Sequence, residues 1–367
     1  MFNSLLLLFF LSTWQYYTQN DFGSRAMGFG GTIPSEIIVP EDASLNPAAL
    51  AYLNNAIISM SVQGDQGEVY SGNKVAFETS EILPSYVGVA FPVKGKYGFS
   101  LSVSIPYNEY ESTQWIEETT IQHPEGTGRF YRFIWLKRFY AFNTTMAFTI
   151  KKKLSIGINL AWLFENSRQA VKYSSGDSLN YDISLSEQFG IEPTIGIEYK
   201  INELSAVILN IKKGFTKGHY NAYNISEDKI EIPEEETLPL SLSFGFSARL
   251  TRNIVINNSM DYINWERVTY KYNGESNNPD YLRDVFRSHF GLEYRLSTAS
   301  YRIGIYEDPS SLNTSVKRDQ IFLTAGAMYY FGNFSINIAL TTSRLIKSQE
   351  KKEDNIYLSL IYGKKVK

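Results

Sequence analysis

The chain has 367 residues, of which 43% are hydrophobic, 15% aromatic and 20% charged. Its 35 basic and 38 acidic residues nearly balance, so the composition does not indicate a nucleic-acid-binding protein. The absence of cysteine and the presence of three widely spaced histidines exclude disulfides, thiolate metal sites and the common zinc motifs. No apolar run reaches the roughly 18 residues of a membrane helix, whereas 26 Tyr and 23 Phe suit a membrane β-barrel.

Residues 1–20 have features of a secretory signal peptide. Leu5 to Leu11 reads LLLLFFL, which has the length of a signal h-region and is too short to span a bilayer. Ser12 and Thr13 are small residues of the kind found near cleavage sites. We therefore expect export with cleavage between residues 12 and 20, the alternative being a short buried segment.

Alternation of large apolar residues with small or polar ones is the strongest pattern in the chain. From Tyr97 the sequence reads YGFSLSVSI, and from Leu238 it reads LPLSLSFGFSARL. The same period recurs at 154–164, 286–296 and 334–340. A period of two predicts strands with one apolar face, which points inward in a soluble sandwich and outward to lipid in a membrane barrel.

The lengths of the connections favour the barrel. Very short turns join six pairs of predicted strands, at 94–96, 151–153, 202–203, 251–253, 297–299 and 332–333. Long polar segments follow the first strand and separate the pairs, at 64–81, 107–138, 165–187, 214–237, 266–285, 307–319 and 344–354. A first strand at 56–63 and a last at 355–362 bring the total to fourteen antiparallel strands of about 9–12 residues. Short turns on one side and long loops on the other predict an all-β, 14-stranded barrel of the bacterial outer membrane over residues 56–363.

Residues 21–55 lie between the signal peptide and the first strand. A fourteen-stranded barrel encloses a lumen, and we expect this segment to fold inside it as a hatch or plug. Three glycines, whose spacing does not fit a phosphate loop, are expected to let its backbone pass close to the wall: Gly28, Gly30 and Gly31. Asn46 and Pro47 predict the N-cap and first position of a short helix over 48–53.

This segment resembles the FadL/TodX family of outer-membrane proteins, which transport long-chain fatty acids and other hydrophobic compounds. The matching stretches are SRAMGFGG at 24–31, EDAS at 41–44 and NPA at 46–48. Looser matches occur in predicted strands, at 196–199, 261–265, 291–295, 302–304 and 326–331. The resemblance implies fourteen strands and a ligand path from outside to an opening in the wall. It also implies a hatch whose gating residues are Gly28, Gly30, Gly31, Asp42, Asn46, Pro47 and Ala48.

Two functions are compatible with this resemblance. One is a channel for passive uptake of fatty acids or other hydrophobic small molecules through the outer membrane. The other is a PorV-like component of a protein secretion system, which binds protein cargo and shuttles it to a surface-attachment complex; both branches share the N-terminal motif. A structural barrel or adhesin without transport is the third hypothesis.

If the apolar face meets lipid, the opposite face lines the lumen. An ionised side chain on the lipid face would cost roughly 2–4 kcal/mol at mid-bilayer, so charged strand residues must face inward. They are Glu198, Arg249, Asp261, Arg287, His289, Glu293, Arg295 and Arg302. Both signs occur, which favours a salt-bridged network around a plug over an ion-selective porin.

Four of these residues form the candidate lumen site: Arg287, His289, Glu293 and Arg302. Arg287 either holds the carboxylate head group of a ligand or pairs with a carboxylate of the wall.

The predicted external loop 107–138 is amphiphilic. Its candidate contact residues are Trp115, Ile116, Phe130 and Trp135. They form either a landing site for hydrophobic ligands or a protein partner, or an aromatic belt at the membrane edge.

No pattern in the sequence indicates an enzyme, a metal site or a cofactor. His289 and Asp261 lie on neighbouring predicted strands, but the chain has no G-x-S-x-G nucleophile elbow. Glu231 and the acidic run 234–236 lack the spacing of an EF-hand loop. We expect this run to lie in a solvated external loop.

Overall fold

The structure is a computed structural model. It describes residues 23–71, 74–93, 96–113, 116–117, 129–175, 178–223, 229–277, 282–311, 319–345 and 351–363. The predicted signal peptide at 1–20 lies outside these ranges. Within them, every helix is too short or too polar to cross a bilayer.

The described residues form a closed barrel of fourteen antiparallel strands, which confirms the predicted fold class. The first seven are β1 (Ile57–Ser71), β2 (Lys74–Val93), β3 (Tyr97–Ser112), β4 (Arg129–Lys151), β5 (Leu154–Ser175), β6 (Ser178–Lys200) and the two-part β7 (Ser205–Lys212 and Phe215–Tyr223). The others are the two-part β8 (Lys229–Thr237 and Leu240–Arg249), β9 (Ile254–Asn264), β10 (Val285–Arg295), β11 (Ala299–Asp308), β12 (Gln320–Phe331), β13 (Phe334–Thr342) and β14 (Lys351–Gly363). Pairing of β1 with both β2 and β14 closes the barrel. The connections carry short elements at Ile116–Glu117, Trp265–Arg267, Tyr270–Tyr272 and Glu275–Asn277.

The apolar face of the strands points outward. In β13, Phe334 and Leu340 are 62% and 51% exposed, whereas Asn337 and Ala339 between them are fully buried. The same alternation of exposed apolar and buried small or polar residues recurs around the barrel. An apolar outer band is what a lipid-facing barrel requires, and a soluble sandwich would hide it.

The strands are longer than the sequence predicts. β4 has 23 residues and β5 has 22, instead of the expected 9–12. Two stretches predicted as loop, 129–138 and 165–175, are therefore strand, and β1 and β14 extend in the same way to Ser71 and Lys351. Ladder hydrogen bonds need no apolar face, so pairing continues where water solvates both faces and the alternation fades. The expectation of long loops at 64–81, 107–138, 165–187 and 214–237 is wrong to this extent.

Residues 23–53, hereafter the lumen segment, lie inside the barrel. The segment contains α1 (Ser24–Gly28), α2 (Asp42–Leu45) and a 3₁₀ helix (Pro47–Tyr52), and its residues are buried or half-buried. The α1 helix contacts β12 and β13, and the 3₁₀ helix contacts β3 to β6. Asn46 Oδ1 accepts a 3.3 Å hydrogen bond from the backbone of Ala49, so the predicted cap is confirmed, although the helix is 3₁₀.

A buried apolar cluster joins opposite walls of the barrel farther from the short turns. We call it the outer cluster; it includes Tyr107, Phe139, Leu163, Leu238, Ile263, Trp265, Val268 and Val285. Trp265 and Val268 follow β9 and are fully buried. Asp284 anchors this connection, because its carboxylate accepts from the Asn264 amide at 2.7 Å and from the Glu266 backbone at 3.1 Å.

A candidate ligand path through the barrel

Glycines in the lumen segment bring its backbone against the wall. A Cβ on Gly28 would lie 2.9 Å from Gly326 Cα, and one on Gly30 would lie 2.2 Å from Phe290 O. Gly30 and Gly31 also have positive φ angles of 75° and 64°, a conformation that favours glycine. The close approach expected from the sequence is therefore present at Gly28 and Gly30.

The wall has its own glycines beneath the 3₁₀ helix. A Cβ on Gly157 would lie 2.2 Å from Pro47 C, and one on Gly98 would lie 2.0 Å from Leu50 O. Pro47 and Ala48 thus rest directly on the wall backbone, close to the short turns. Sequence reasoning missed these glycines, although each occupies an inward position of an alternating strand.

Asn46 ties the lumen segment to β6. Its Nδ2 donates 2.8 Å hydrogen bonds to Pro34 O within the segment and to Glu198 Oε2 on the wall. Glu198 is fully buried, and its Oε1 has no hydrogen-bond partner among the described residues. The segment is therefore held here by one amide against a buried carboxyl group.

A chain of ion pairs connects the lumen segment to β10 and β11. Arg25 of α1 contacts Asp42 of α2 at 2.9 Å and Glu293 of β10 at 3.5 Å. Glu293 is fully buried and also pairs with Arg302 at 2.8 Å and Arg295 at 2.7 Å. The predicted salt-bridged network around the segment is confirmed.

Glu36 extends this network towards the short turns. Its two oxygens lie 2.8 Å from Arg249 Nη2 and 2.8 Å from Arg295 Nη1. Burial raises the pKa of Glu36, but the guanidinium groups of Arg295, Arg25 and Arg249 outweigh it and lower the pKa below its ordinary value. The residue borders a cavity of about 480 Å³ between the lumen segment and the short turns.

The other two predicted lumen residues contact groups of the protein itself. Arg287 Nη2 lies 2.6 Å from Asp308 Oδ1, which is the structural pairing that the sequence left open. His289 lies between Gly30 O, 3.0 Å from Nδ1, and Asp261 Oδ2, 3.1 Å from Nε2. Its ring thus links the lumen segment to β9.

The expected external contact residues lie mostly on strands. Phe130 is the second residue of β4 and is 38% exposed, and Trp135 lies within the same strand. Ile116 belongs to a two-residue strand that pairs with β4. Trp115 lies outside the described residues.

The acidic run after residue 233 is not a solvated loop, which corrects the expectation. It belongs to β8, so strand alternation turns Glu234 and Glu236 inward, where they are 4% and 2% exposed. Glu235 between them faces outward to Lys217 at 2.7 Å and Lys271 at 3.1 Å. In the part of the chain that the structure describes, no three His, Cys, Asp or Glu residues form a group that would hold a metal ion.

The ladder between β2 and β3 is interrupted. Glu78 pairs with Ser112 and Tyr86 pairs with Ser104, but residues 79–85 have no ladder partners among 105–111. The register is the same on both sides, so the backbone ladder stops and resumes. Near Ser112, side chains still join the two strands, because Thr79 Oγ1 donates to Tyr110 O at 2.7 Å and Asn108 Nδ2 donates to Glu81 Oε1. We call this interruption the wall gap.

Prolines and bulges accompany the wall gap. Pro84 and Pro106 lack a backbone N–H, and a register shift adjoins each of them. Residues 104–107 are all buried, so β3 bends inward there, and the Tyr107 hydroxyl reaches Glu192 on β6 at 2.6 Å. Tyr107 is also a member of the outer cluster, which therefore borders the wall gap. The sequence carried a signal for this feature in the two prolines within alternating strands.

No protein-family profile and no curated protein matches the sequence. Solved structures do match, among them a Pseudomonas aeruginosa FadL homologue with 15% identity and a TM-score of 0.70, covering 93% of this chain and 98% of that one. The Ralstonia pickettii toluene transporter TbuX has 15% identity and a TM-score of 0.66, with 96% and 100% covered. The Pseudomonas putida toluene transporter TodX has 13% identity and a TM-score of 0.62, with 93% and 97% covered. The chain has the fold of the FadL and TodX transporters.

The resemblance seen in the sequence is thereby confirmed at the level of fold. Its three matching stretches fall together in the lumen segment of this FadL/TodX-type barrel. Within them, Arg25 pairs with Asp42, and Asn46 and Pro47 contact the wall at β5 and β6. The motif therefore consists largely of residues that attach the segment to itself and to the barrel.

Proposed function

We propose that this protein is an outer-membrane channel for the passive uptake of hydrophobic small molecules. The observation that carries the proposal is the combination of a lumen filled on the short-turn side with a gap in the wall between β2 and β3. A solute that enters from the other end meets the lumen segment below and the wall gap at its side. The names of the matching structures, a FadL homologue and toluene transporters, agree with such a substrate.

The proposed route begins at the outer cluster, where a hydrophobic molecule replaces contacts among apolar side chains. It continues past Tyr107 to the wall gap, next to Ile82, which is 82% exposed on the outer surface. Each buried CH₂ group favours transfer into an apolar environment by about 0.8 kcal/mol. Lateral release into the membrane therefore needs no energy source, and no step in the route breaks a covalent bond.

The lumen segment is the proposed hatch, which the sequence analysis places at residues 21–55. Its gating residues are Gly28, Gly30, Gly31, Asp42, Asn46, Pro47 and Ala48, which set its contacts with the wall. Movement of the hatch would open the cavity beside Glu36 towards the periplasm. The apolar outer band supports the membrane location, with outer-membrane lipid as the partner of the exposed side chains.

A reversible bridge across the wall gap tests the route. Ser85 and Ile105 would be partners if the β2–β3 register continued, and the chain has no other thiol to interfere. A Ser85→Cys/Ile105→Cys pair is bridged in cells with an ethane-linked bis-methanethiosulfonate, and uptake of radiolabelled toluene and oleate is measured. The control pair, Val87→Cys/Val103→Cys, joins residues that are already ladder partners.

We expect the test bridge to reduce uptake at least about tenfold and a reducing agent to restore it, while the control bridge has no effect. Unchanged uptake with the test bridge would refute the lateral route. If cells with the unmodified protein take up neither compound faster than cells without it, the proposed function is wrong. The ratio of toluene to oleate uptake decides whether fatty acids are substrates.

The secretion hypothesis stays a prediction. The residues expected to bind cargo lie partly outside the described ranges, and we find no feature among the described residues that favours protein cargo over a small molecule. Co-purification of a large protein partner through the long-loop side would support it.

A further inference from the structure

The inner wall at the level of the outer cluster carries an excess of carboxylates. Glu165, Glu234 and Glu236 are 6%, 4% and 2% exposed. Lys137 Nζ lies 3.7 Å from Glu165 Oε1 and 3.4 Å from Glu236 Oε2, and it is the cation that these described residues share. We call the three glutamates with Lys137 the acidic cluster.

One oxygen of the acidic cluster is left without a hydrogen bond. Glu165 Oε2 is buried and has no partner among the described residues, whereas Oε1 of the same carboxylate faces Lys137. Glu234 is differently placed, because Ser186 and Gln188 donate to its Oε2 at 2.8 and 3.1 Å. A buried carboxyl oxygen without a partner, next to two further glutamates, is a site for a hydrogen-bond donor or a cation.

Apolar side chains border the acidic cluster. Phe139 is the ladder partner of Glu165, and Leu163 lies two residues before Glu165 on β5. Leu238 lies two residues after Glu236, between the two parts of β8. All three belong to the outer cluster. The barrel therefore presents acidic and apolar groups side by side.

The protein's own lysines show how an ammonium group is held here. Lys137 Nζ lies 5.6 Å from the Phe139 ring centroid, and Lys212 Nζ lies 5.5 Å from that of Tyr107. Lys212 also pairs with Glu192 at 3.5 Å. An ammonium between a carboxylate and an aromatic face gains from both the ion pair and the ring quadrupole.

Two arginines of the inner wall that the sequence offers for a ligand head group are already paired with carboxylates. Arg287 pairs with Asp308, and Arg302 pairs with Glu293. A fatty-acid carboxylate would therefore have to displace an existing partner and would meet a negative field on its way in.

We infer that the acidic cluster selects amphiphiles with a cationic or hydrogen-bond-donating end, such as alkylammonium or arylalkylammonium compounds, over carboxylates of equal length. The polar end contacts Glu165 Oε2, the oxygen that Lys137 does not face, and the apolar end lies against Phe139 and Leu163. This inference rests on the proposed function and narrows its substrate class.

Three probes with one tail length test the inference: octylammonium, 1-octanol and octanoate. Their binding to the full chain in lipid nanodiscs is measured by calorimetry, with empty nanodiscs as the blank. We expect octylammonium to bind at least tenfold more tightly than octanoate, with 1-octanol in between.

The variants Glu165→Gln and Glu236→Gln keep the side-chain shape and remove one carboxyl group each. Each is expected to weaken octylammonium binding about tenfold and to leave 1-octanol binding unchanged. Glu235→Gln is the matched control, because it removes the same charge from the same strand on the outward face. Lys137→Met should act in the opposite direction and tighten octylammonium binding.

Equal or tighter binding of octanoate by the unmodified protein would overturn the inference. An equal effect of Glu235→Gln and Glu165→Gln would also overturn it, since it would mean that surface charge alone is responsible. The proposed function is judged separately by toluene uptake and by 1-octanol binding. If the protein takes up toluene and binds 1-octanol but binds octylammonium no more tightly than octanoate, only this inference fails.

Discussion

Asn46 Nδ2 donates a 2.8 Å hydrogen bond to Glu198 Oε2, and both residues are fully buried. This bond joins the end of α2, where the 3₁₀ helix begins, to the inner face of β6. Because the same amide also donates to Pro34 O, Asn46 fixes the fold of the lumen segment and its position at once.

Asn46→Ala should therefore loosen the lumen segment without unfolding the barrel. The variant leaves Glu198 and Pro34 O without their donor and removes the cap of the 3₁₀ helix, a loss of about 1–3 kcal/mol in local stability. Hydrogen exchange should become faster across residues 23–53 and stay unchanged in the strands. Asn54→Ala, at an exposed position, is the control. Unchanged exchange in Asn46→Ala would mean that this amide does not hold the segment.

Gly157→Ala should displace the 3₁₀ helix from the wall. The added Cβ would lie 2.2 Å from Pro47 C, a backbone atom that is unable to move aside alone. We expect a larger single-channel conductance in planar bilayers, because the displaced segment fills less of the lumen. Gly64→Ala, whose Cβ would have its nearest neighbour at 3.7 Å, should conduct like the unmodified protein. A normal conductance for Gly157→Ala would contradict the close packing described here.

Acid should weaken the attachment of the lumen segment through Glu36. Its folded-state pKa is lowered by Arg295, Arg25 and Arg249 against the effect of burial, so its stabilising contribution is present above the unfolded pKa. That contribution is lost as the pH falls through the folded pKa. Protection of residues 23–53 from exchange, corrected for intrinsic rates, should decline in acid, and Glu36→Gln should remove this part of the dependence. A variant with the same pH profile as the parent would exclude Glu36 as its source.

Glu41 should act in the opposite direction. Its side chain is buried, accepts hydrogen bonds from Ser59 at 2.8 Å and Ser61 at 2.5 Å, and burial raises its pKa. Its contribution to stability is therefore present below the unfolded pKa and lost as the pH rises through the folded value. Glu41→Gln, which mimics the protonated form, should increase protection of the segment at neutral and alkaline pH. A decrease there would indicate that the ionised form is the one the fold favours.

The sequence predicts the barrel well because its determinants are local. The alternation in β13 and the short turn after Phe331 each involve fewer than a dozen residues. Together they predict that β12 and β13 are antiparallel and which side chains of β13 point outward. Strand ends are less predictable. Residues 129–138 of β4 are held by pairing with β5 and carry no apolar alternation of their own. For the same reason the sequence predicts a solvated loop at Glu234 and Glu236, which the structure places in β8.

The site is predictable only in part. The inward position of Arg302 and Glu293 follows from strand period. The presence of both charges predicts a salt-bridged network, but the pairing of these two residues is known only from the structure. The wall gap does not follow from period, because it depends on how β2 and β3 separate in three dimensions. Pro84 and Pro106 mark the strands concerned, but proline alone does not say whether a strand ends, bulges or bends.

Native mass spectrometry of the protein extracted gently from outer membranes distinguishes an uptake channel from a secretion component. We expect a bound small molecule, lighter than a phospholipid, that is lost on delipidation and is competed away by toluene or 1-octanol. A spectrum with no small adduct, together with a stable complex with a large protein, would contradict the uptake channel and support the secretion hypothesis.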